Sequence, residues 1–280
     1  MVTRGYRHVN SDTAVGGPNA VIARCEGANR YAEVFNLDTD TGFVDTAEPA
    51  GCPASPRPAT DGIARRIDTQ ADIAAGLAAL LAIDARLEPV AKAAGPVPLR
   101  RRPGGFAGLA RIVVAQQLST ASANAIWGRL AVAYEPFTAQ ALVRARADRL
   151  ARLGLSAPKI RAIKEIARAV ADGVLDCDAL AAMPADAAHR KLCAIHGIGP
   201  WTADIYLLFC LGHPDAWPAG DLALREAARL AFALPARPTV KEAGLLAEPW
   251  RPWRGVAARL LWAYYRVRKG REGAPVQPVE

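Results

Sequence analysis

From Ile63 onward apolar residues recur at helical spacing, and strand-like alternation is nearly absent. The first such stretch, Asp72-Ile73-Ala74-Ala75-Gly76-Leu77-Ala78-Ala79-Leu80-Leu81, follows Thr69 and predicts a helix. Gly95-Pro96-Val97-Pro98 then breaks the chain, and a basic loop follows, Arg100-Arg101-Arg102-Pro103-Gly104-Gly105. Residues 106–118 and 119–134 read as two helices joined near Ser119, a residue type suited to an N-cap. Further helices are predicted over 138–147, 147–153, 157–172, 185–195, 202–211, 222–232 and 251–268. No tandem repeat is evident. The expected class is all-α with short connections.

Residues 1–62 do not share this pattern. They are rich in Gly, Pro, Thr, Asp and Ala, and the stretch 48–58 carries four prolines in eleven residues, which neither a helix nor a central strand tolerates. A largely disordered extension is expected there, with at most a short hairpin around 31–44 and no chemistry. The helical body is expected over 63–280.

Composition narrows the class. Of 280 residues, 51% are hydrophobic and 22% charged, enough to bury a core and unlike a disordered or collagenous chain. No apolar run approaches the roughly 18 residues of a membrane span, and Met1 to Asn10 holds no apolar segment of a secretory signal. Five scattered cysteines without a CxxC, and four dispersed histidines, suggest neither a disulfide framework nor a metal site. A reduced, cytoplasmic setting is expected. The net charge is +8, from 35 Lys+Arg against 27 Asp+Glu; residues 1–62 take five and eight of these, so the basic surface belongs to the helical body. Nucleic acid is the natural polyanionic partner, although an arginine-rich, soluble surface would read the same way.

The sharpest local feature is Leu192-Cys193-Ala194-Ile195-His196-Gly197-Ile198-Gly199-Pro200-Trp201-Thr202-Ala203. Gly197 and Gly199 permit backbone conformations and close approaches that a Cβ blocks. Ile198 can plug the core between two helices, and Pro200 suits the first turn of the second. The N–H groups exposed at that helix start can hold a phosphate oxygen. This is a helix-hairpin-helix pattern, which grips the DNA backbone without reading bases; an ordinary corner between helices is the plainer reading. Twenty-two residues beyond Gly199, Pro218-Ala219-Gly220 leads into Asp221 and the helix over 222–232. Asp221 therefore stands at a helix start. Alone it reads as a cap; beside the hairpin it reads as an anion placed to stabilise positive charge on a sugar.

The hairpin with Asp221 downstream resembles the signature of the helix-hairpin-helix DNA glycosylases, and most closely the alkylation-repair branch, DNA-3-methyladenine glycosylase II. Arg111-Ile112-Val113-Val114-Ala115-Gln116-Gln117-Leu118-Ser119, Leu153-Gly154-Leu155-Ser156-Ala157-Pro158-Lys159 and the stretch from Pro249-Trp250-Arg251-Pro252-Trp253-Arg254 to Trp262 carry the likeness further, so that it covers about residues 65–270. The resemblance implies a two-lobed helical body, with one lobe over 105–213 and the other combining 63–104 with 214–280. It implies Asp221 as the catalytic residue, and a lesion pocket drawing on Trp201, Trp262, Ile205 and Tyr206. It implies DNA contacts from Gln117, Leu118, His196, Gly197, Ile198, Gly199 and Thr202. Lyase members carry a lysine just after the hairpin, where this chain has Pro200-Trp201, which favours a monofunctional enzyme using water. Four spaced C-terminal cysteines are missing, so no iron–sulfur cluster is expected. The mixed α/β N-terminal domain of larger relatives is not reproduced by 1–62. Near relatives carry a pocket tyrosine where this chain has Ile205, and an aromatic where it has Ala263; Tyr206 and Tyr264 stand next to these places.

The expected activity is hydrolysis of the N-glycosidic bond of alkylated, 3-methyladenine-like bases in double-stranded DNA. The base must be flipped out of the duplex, and Gln117 is the residue expected to fill the gap; satisfying helix-end carbonyls is the plainer role for Gln116 and Gln117. Trp201 and Trp262 are expected to offer indole faces to a cationic base, with ordinary core packing as the plainer alternative. No cofactor or metal is expected, and a monovalent or magnesium ion at the hairpin stays open. A monomer acting on nucleoid DNA, without a membrane partner, is expected. Two alternatives remain: a non-catalytic DNA-binding hairpin protein, and a glycosylase for oxidised or deaminated bases.

Overall fold

Residues 66–270 and Gly273 are described by the computed structural model, so the expectations for 1–62 fall outside the described residues. Among the described residues there is no strand. The α-helices are α1 (Gln70–Ile83), α2 (Glu88–Ala94), α3 (Gly105–Ala115), α4 (Thr120–Ala133), α5 (Ala139–Arg144), α6 (Ala147–Arg152), α7 (Ala157–Ala171), α8 (Ala185–Cys193), α9 (Pro200–Ile205), α10 (Leu222–Ala231), α11 (Val240–Ala247) and α12 (Arg254–Lys269). The all-α expectation holds. No helix of the described residues is long and apolar enough to cross a membrane.

Side-chain caps fix many of the boundaries. Thr69 accepts a hydrogen bond from the Asp72 N–H, and Asp72 answers by accepting from the Thr69 N–H at 2.8 Å, so α1 begins at Gln70 rather than at Asp72. Ser119 caps α4, as expected, by accepting from the Ser122 N–H. Helix α3 stops at Ala115, three residues earlier than the apolar pattern predicts. Gln116 already has ψ 129, and Gln117 takes the left-handed φ of 56. Two helices absent from the prediction are α2, whose first turn carries Pro89, and α11, which Thr239 and Glu242 open with a reciprocal cap.

The helices pack in two groups. In one, α3 and α5 lie against α7, with α4 on α3 and α8 on α9; in the other, α1, α2 and α10 surround α12. Helix α12 is buried continuously from Arg254 to Tyr265. A helix buried all round is normally apolar, yet this buried stretch carries two arginines, Arg254 and Arg259, each with its own solution. Arg254 forks onto Asp215 at 2.8 and 2.9 Å and also meets Asp186 and Glu248. Arg259 has no carboxylate in its hydrogen bonds. It donates to the carbonyls of Leu208 at 2.7 Å and Gly255 at 2.9 Å, and its guanidinium lies over the Phe209 ring. Burial pulls its pKa down to about 9.

The Leu208 carbonyl belongs to an irregular turn. Helix α9 runs on through Tyr206–Cys210 as a π-turn, closed by the Leu211 N–H donating to the Tyr206 carbonyl at 3.1 Å. Wide turns of this kind free carbonyls that need other donors. Arg259 supplies one; the Arg101 side chain at 2.9 Å and the Arg102 N–H at 2.8 Å both reach Phe209. Part of the basic loop thus closes the negative end of the segment whose opposite end begins at the hairpin.

Candidate active site

Asp221 lies between the two helix groups and is the N-cap of α10, with extended backbone at ψ 122. Its Oδ1 accepts from the Leu224 N–H at 2.9 Å, which is the capping bond. The same oxygen accepts from the Trp262 indole N–H at 3.1 Å, and Oδ2 accepts from the Trp201 indole N–H at 3.0 Å. Asp221 is 8% exposed. Capping and a poised anion are therefore not rivals here: the cap sets the position, and two indoles from different elements fix the rotation. Two carboxylate oxygens offer about four lone-pair directions, so these three donors leave one open on Oδ2.

This geometry revises the role expected of the tryptophans. Trp262 is 2% exposed and stacks on Phe209, with centroids 5.6 Å apart and planes at 28°. It meets Asp221 with its edge, and its face is not open to a base. Trp201 is half-buried and keeps part of its ring accessible. A small cavity of about 10 Å³ beside Trp262, lined by Pro98, Arg100, Arg259 and Ala263, is too small for a nucleobase.

Ile205 and Tyr206 are wholly buried. They sit where α9 passes into the π-turn, and the Tyr206 hydroxyl donates at 3.4 Å to the Gly105 carbonyl, away from Asp221. Both are core residues, and neither side chain is open to a base in this structure. The Thr202 side chain is also turned inward. It is 2% exposed, and its hydroxyl accepts from the Gln116 side-chain amide at 2.8 Å. Its side chain faces the α3–α4 turn and not the outside.

The hairpin's two glycines divide the work. Gly197 has φ 94, and a Cβ there would lie 2.4 Å from the Ala162 side chain on α7. Gly199 has an ordinary extended φ of −82, and a Cβ there would meet nothing within 4 Å. Ile198, 4% exposed, is the plug, while His196 is exposed. Both glycines are exposed, but a side chain at Gly197 would collide with α7 while one at Gly199 would face open space. Gly197→Val should cost about 2–4 kcal/mol through left-handed strain and overpacking, seen as a lower melting temperature. Gly199→Val should melt like the parent yet bind duplex about tenfold more weakly, one charged hydrogen bond's worth, equally for damaged and undamaged DNA. Anisotropy titrations check this, and a loss confined to damaged duplex would count against the hairpin as a backbone grip. At the far edge of the site, Gln117 and Leu118 are exposed at the tip between α3 and α4.

One buried acid lies behind the site without touching it. Asp204 on α9 is 8% exposed, and burial pushes its pKa up to about 8, with Arg254 opposing and Asp186 adding to the rise. His189 Nε2 is 3.6 Å away, too far for a hydrogen bond that would offset the burial. The folded chain therefore binds more protons than the unfolded one between about pH 4 and 8, and this contribution to stability falls as pH rises through that window. Asp204→Asn should gain melting temperature relative to the parent as pH is raised from 5.5 to 8.5; parallel melting curves across that range would show that Asp204 is charged throughout.

Residues 110–252, just over half of the chain, match the family model described as HhH-GPD superfamily base excision DNA repair protein. The chain is 36% identical over 218 residues to a Mycobacterium tuberculosis protein named as a probable bifunctional transcriptional activator/DNA repair enzyme AlkA. That match takes 73% of this chain and 42% of the relative, so the chain spans less than half of that protein's length. Among solved structures, a DNA-3-methyladenine glycosidase from Bacillus halodurans superposes with a TM-score of 0.65 at 29% identity, covering 75% of this chain and 96% of the other. The 3-methyladenine DNA glycosylase Mag1 of Schizosaccharomyces pombe, solved with abasic DNA, gives a TM-score of 0.60 at 28% identity over 70% of this chain and 97% of the other.

Proposed function

This chain belongs to the HhH-GPD superfamily of base excision DNA repair proteins, and we propose that it is a monofunctional DNA glycosylase that hydrolyses the N-glycosidic bond of alkylated bases in duplex DNA. The observation that carries the reading is the Asp221 carboxylate, held by a helix start and two indole N–H groups beside a phosphate-gripping hairpin. A protein that only binds DNA gains nothing from a buried anion facing the polyanion.

The chemistry follows from that anion. The hairpin holds the backbone, the damaged nucleotide leaves the stack, and Gln117 enters the gap. The C1′–N bond breaks with its electron pair going to the base, and the sugar gains oxocarbenium character. Asp221 lies where that charge develops and stabilises it without reorganising, because its donors already fix it. Water then bonds to C1′ and loses its proton to the open lone pair of Oδ2 or to solvent. An N-alkylated purine is cationic and departs neutral, so one carboxylate suffices without a paired general acid. Trp201 follows the hairpin where lyases place an amine, and no Schiff base forms through it. Water and Asp221 complete the reaction without a cofactor. The enzyme acts as a monomer, in the cytoplasm, on nucleoid DNA.

A panel of duplexes, each with one defined lesion, tests the substrate class. Release of 3-methyladenine and 7-methylguanine, with 8-oxoguanine and uracil left in place, is the expected pattern. The opposite pattern would move the chain to the oxidised- or deaminated-base class.

A further inference from the structure

The tip that carries Gln117 is held by two contacts that neither the hairpin nor Asp221 requires. Lys159, near the start of α7, donates from Nζ to the carbonyls of Val114 and Gln116, each at 2.8 Å. These are carbonyls that the end of α3 leaves without a helical donor, and a cation there also suits the helix dipole. Gln116 sends its side-chain amide to Thr202 at 2.8 Å, and Thr202 follows Trp201, whose indole N–H holds Asp221. Immediately after these anchored residues the chain passes through Gln117 at φ 56, a conformation that costs a non-glycine residue about 1–2 kcal/mol. Such strain persists only where surrounding bonds over-determine it, and these are the bonds.

We propose that Lys159 is a positioning residue: it fixes the end of α3 so that Gln117 stands ready to enter the duplex, and the Gln116–Thr202 bond ties that tip to α9, whose Trp201 holds Asp221. The inference rests on the reading of Gln117 as the gap-filling residue. In consequence, Lys159 matters when a base pair has to be opened and matters little when the damaged base is already unpaired. A residue that only stabilised the fold would affect both substrates alike.

The test uses the full chain and a 7-methylguanine placed either opposite cytosine in a duplex or in the same strand left single. Lys159→Met should lower the single-turnover rate on the duplex at least about tenfold, as expected for a misplaced group away from the chemistry, and change the single-strand rate by less than about twofold. Lys159→Arg keeps two donors and should recover most of the duplex rate. A proportional fall on both substrates, or no fall on either, overturns the proposal. A readout free of chemistry separates this from the function itself: 2-aminopurine opposite a tetrahydrofuran abasic analogue should brighten when the tip enters, and brighten at least about fivefold less with Lys159→Met at saturation. If Lys159→Met fails to fold, Thr202→Val removes the other tie with little change of shape and should lower the brightening in the same direction; an undiminished signal sinks the idea. A parent protein that brightens 2-aminopurine but releases no base would refute the glycosylase reading and leave the positioning role standing.

Discussion

Asp221→Asn lowers single-turnover excision of an alkylated base by about a hundredfold or more while the chain stays folded. The sugar becomes positive only on the way to the transition state, so loss of the negative charge acts on the rate more than on binding. The hydrogen bonds around the carboxylate say how Asn will sit. Its carbonyl oxygen can keep the Leu224 N–H and the Trp262 indole, and its amide then faces the Trp201 indole, donor to donor. Trp201 is half-buried and can turn its N–H to solvent, so the structural cost should stay near 1 kcal/mol. Melting curves and anisotropy on an uncharged abasic analogue check fold and binding. A folded Asn variant that excises at the parent rate would leave Asp221 as a helix cap and nothing more.

The largest effect on stability is expected at Arg254. Its side chain is 7% exposed and its main partner Asp215 is 11% exposed, so the pair is buried rather than superficial. Removing one member of a buried pair leaves the other charge uncompensated, at about 3–5 kcal/mol. Arg251 still donates to Asp215 at 2.8 Å, which argues for the low end. Arg254→Ala should therefore cost about 3 kcal/mol, or about 6–12 °C of melting temperature for a body of this size. Because the pair is shielded, 0.5 M salt should change the difference little. A drop of under about 2 °C would mean that this network contributes no more than a surface ion pair.

What the sequence made legible follows the range of the forces involved. Caps act over three or four residues, so Thr69, Ser119 and Asp221 could be read as helix starts. The Thr239–Glu242 cap carries the same signal for α11, but the apolar pattern after it is too short to predict a helix. The π-turn could not be read. Its freed carbonyls are satisfied by Arg259 and Arg101, donors about fifty and a hundred residues away along the chain. The same limit governs the site. Asp221, Trp201 and Trp262 were identifiable as residues, but which edge an indole presents depends on what covers its face, and Phe209 covers Trp262. Thr202 looks like a hairpin contact until Gln116, 86 residues earlier, claims its hydroxyl. Gly197 and Gly199 look equivalent until Ala162 is found against one of them. The resemblance puts Ile205 and Tyr206 near the base, and the packing at the end of α9 buries both.

The most direct test of the central claim is the identity of the products. A duplex with a single 7-methylguanine, labelled on the damaged strand, is incubated with the full chain; free base is measured by mass spectrometry and strand length by gel. Stoichiometric release of free 7-methylguanine is expected, with the strand intact until alkali cleaves it and no adduct trapped by borohydride. Strand cleavage without alkali, or a borohydride-trapped protein–DNA adduct, would contradict hydrolysis by water at Asp221. Tight binding with the base still attached would contradict catalysis altogether.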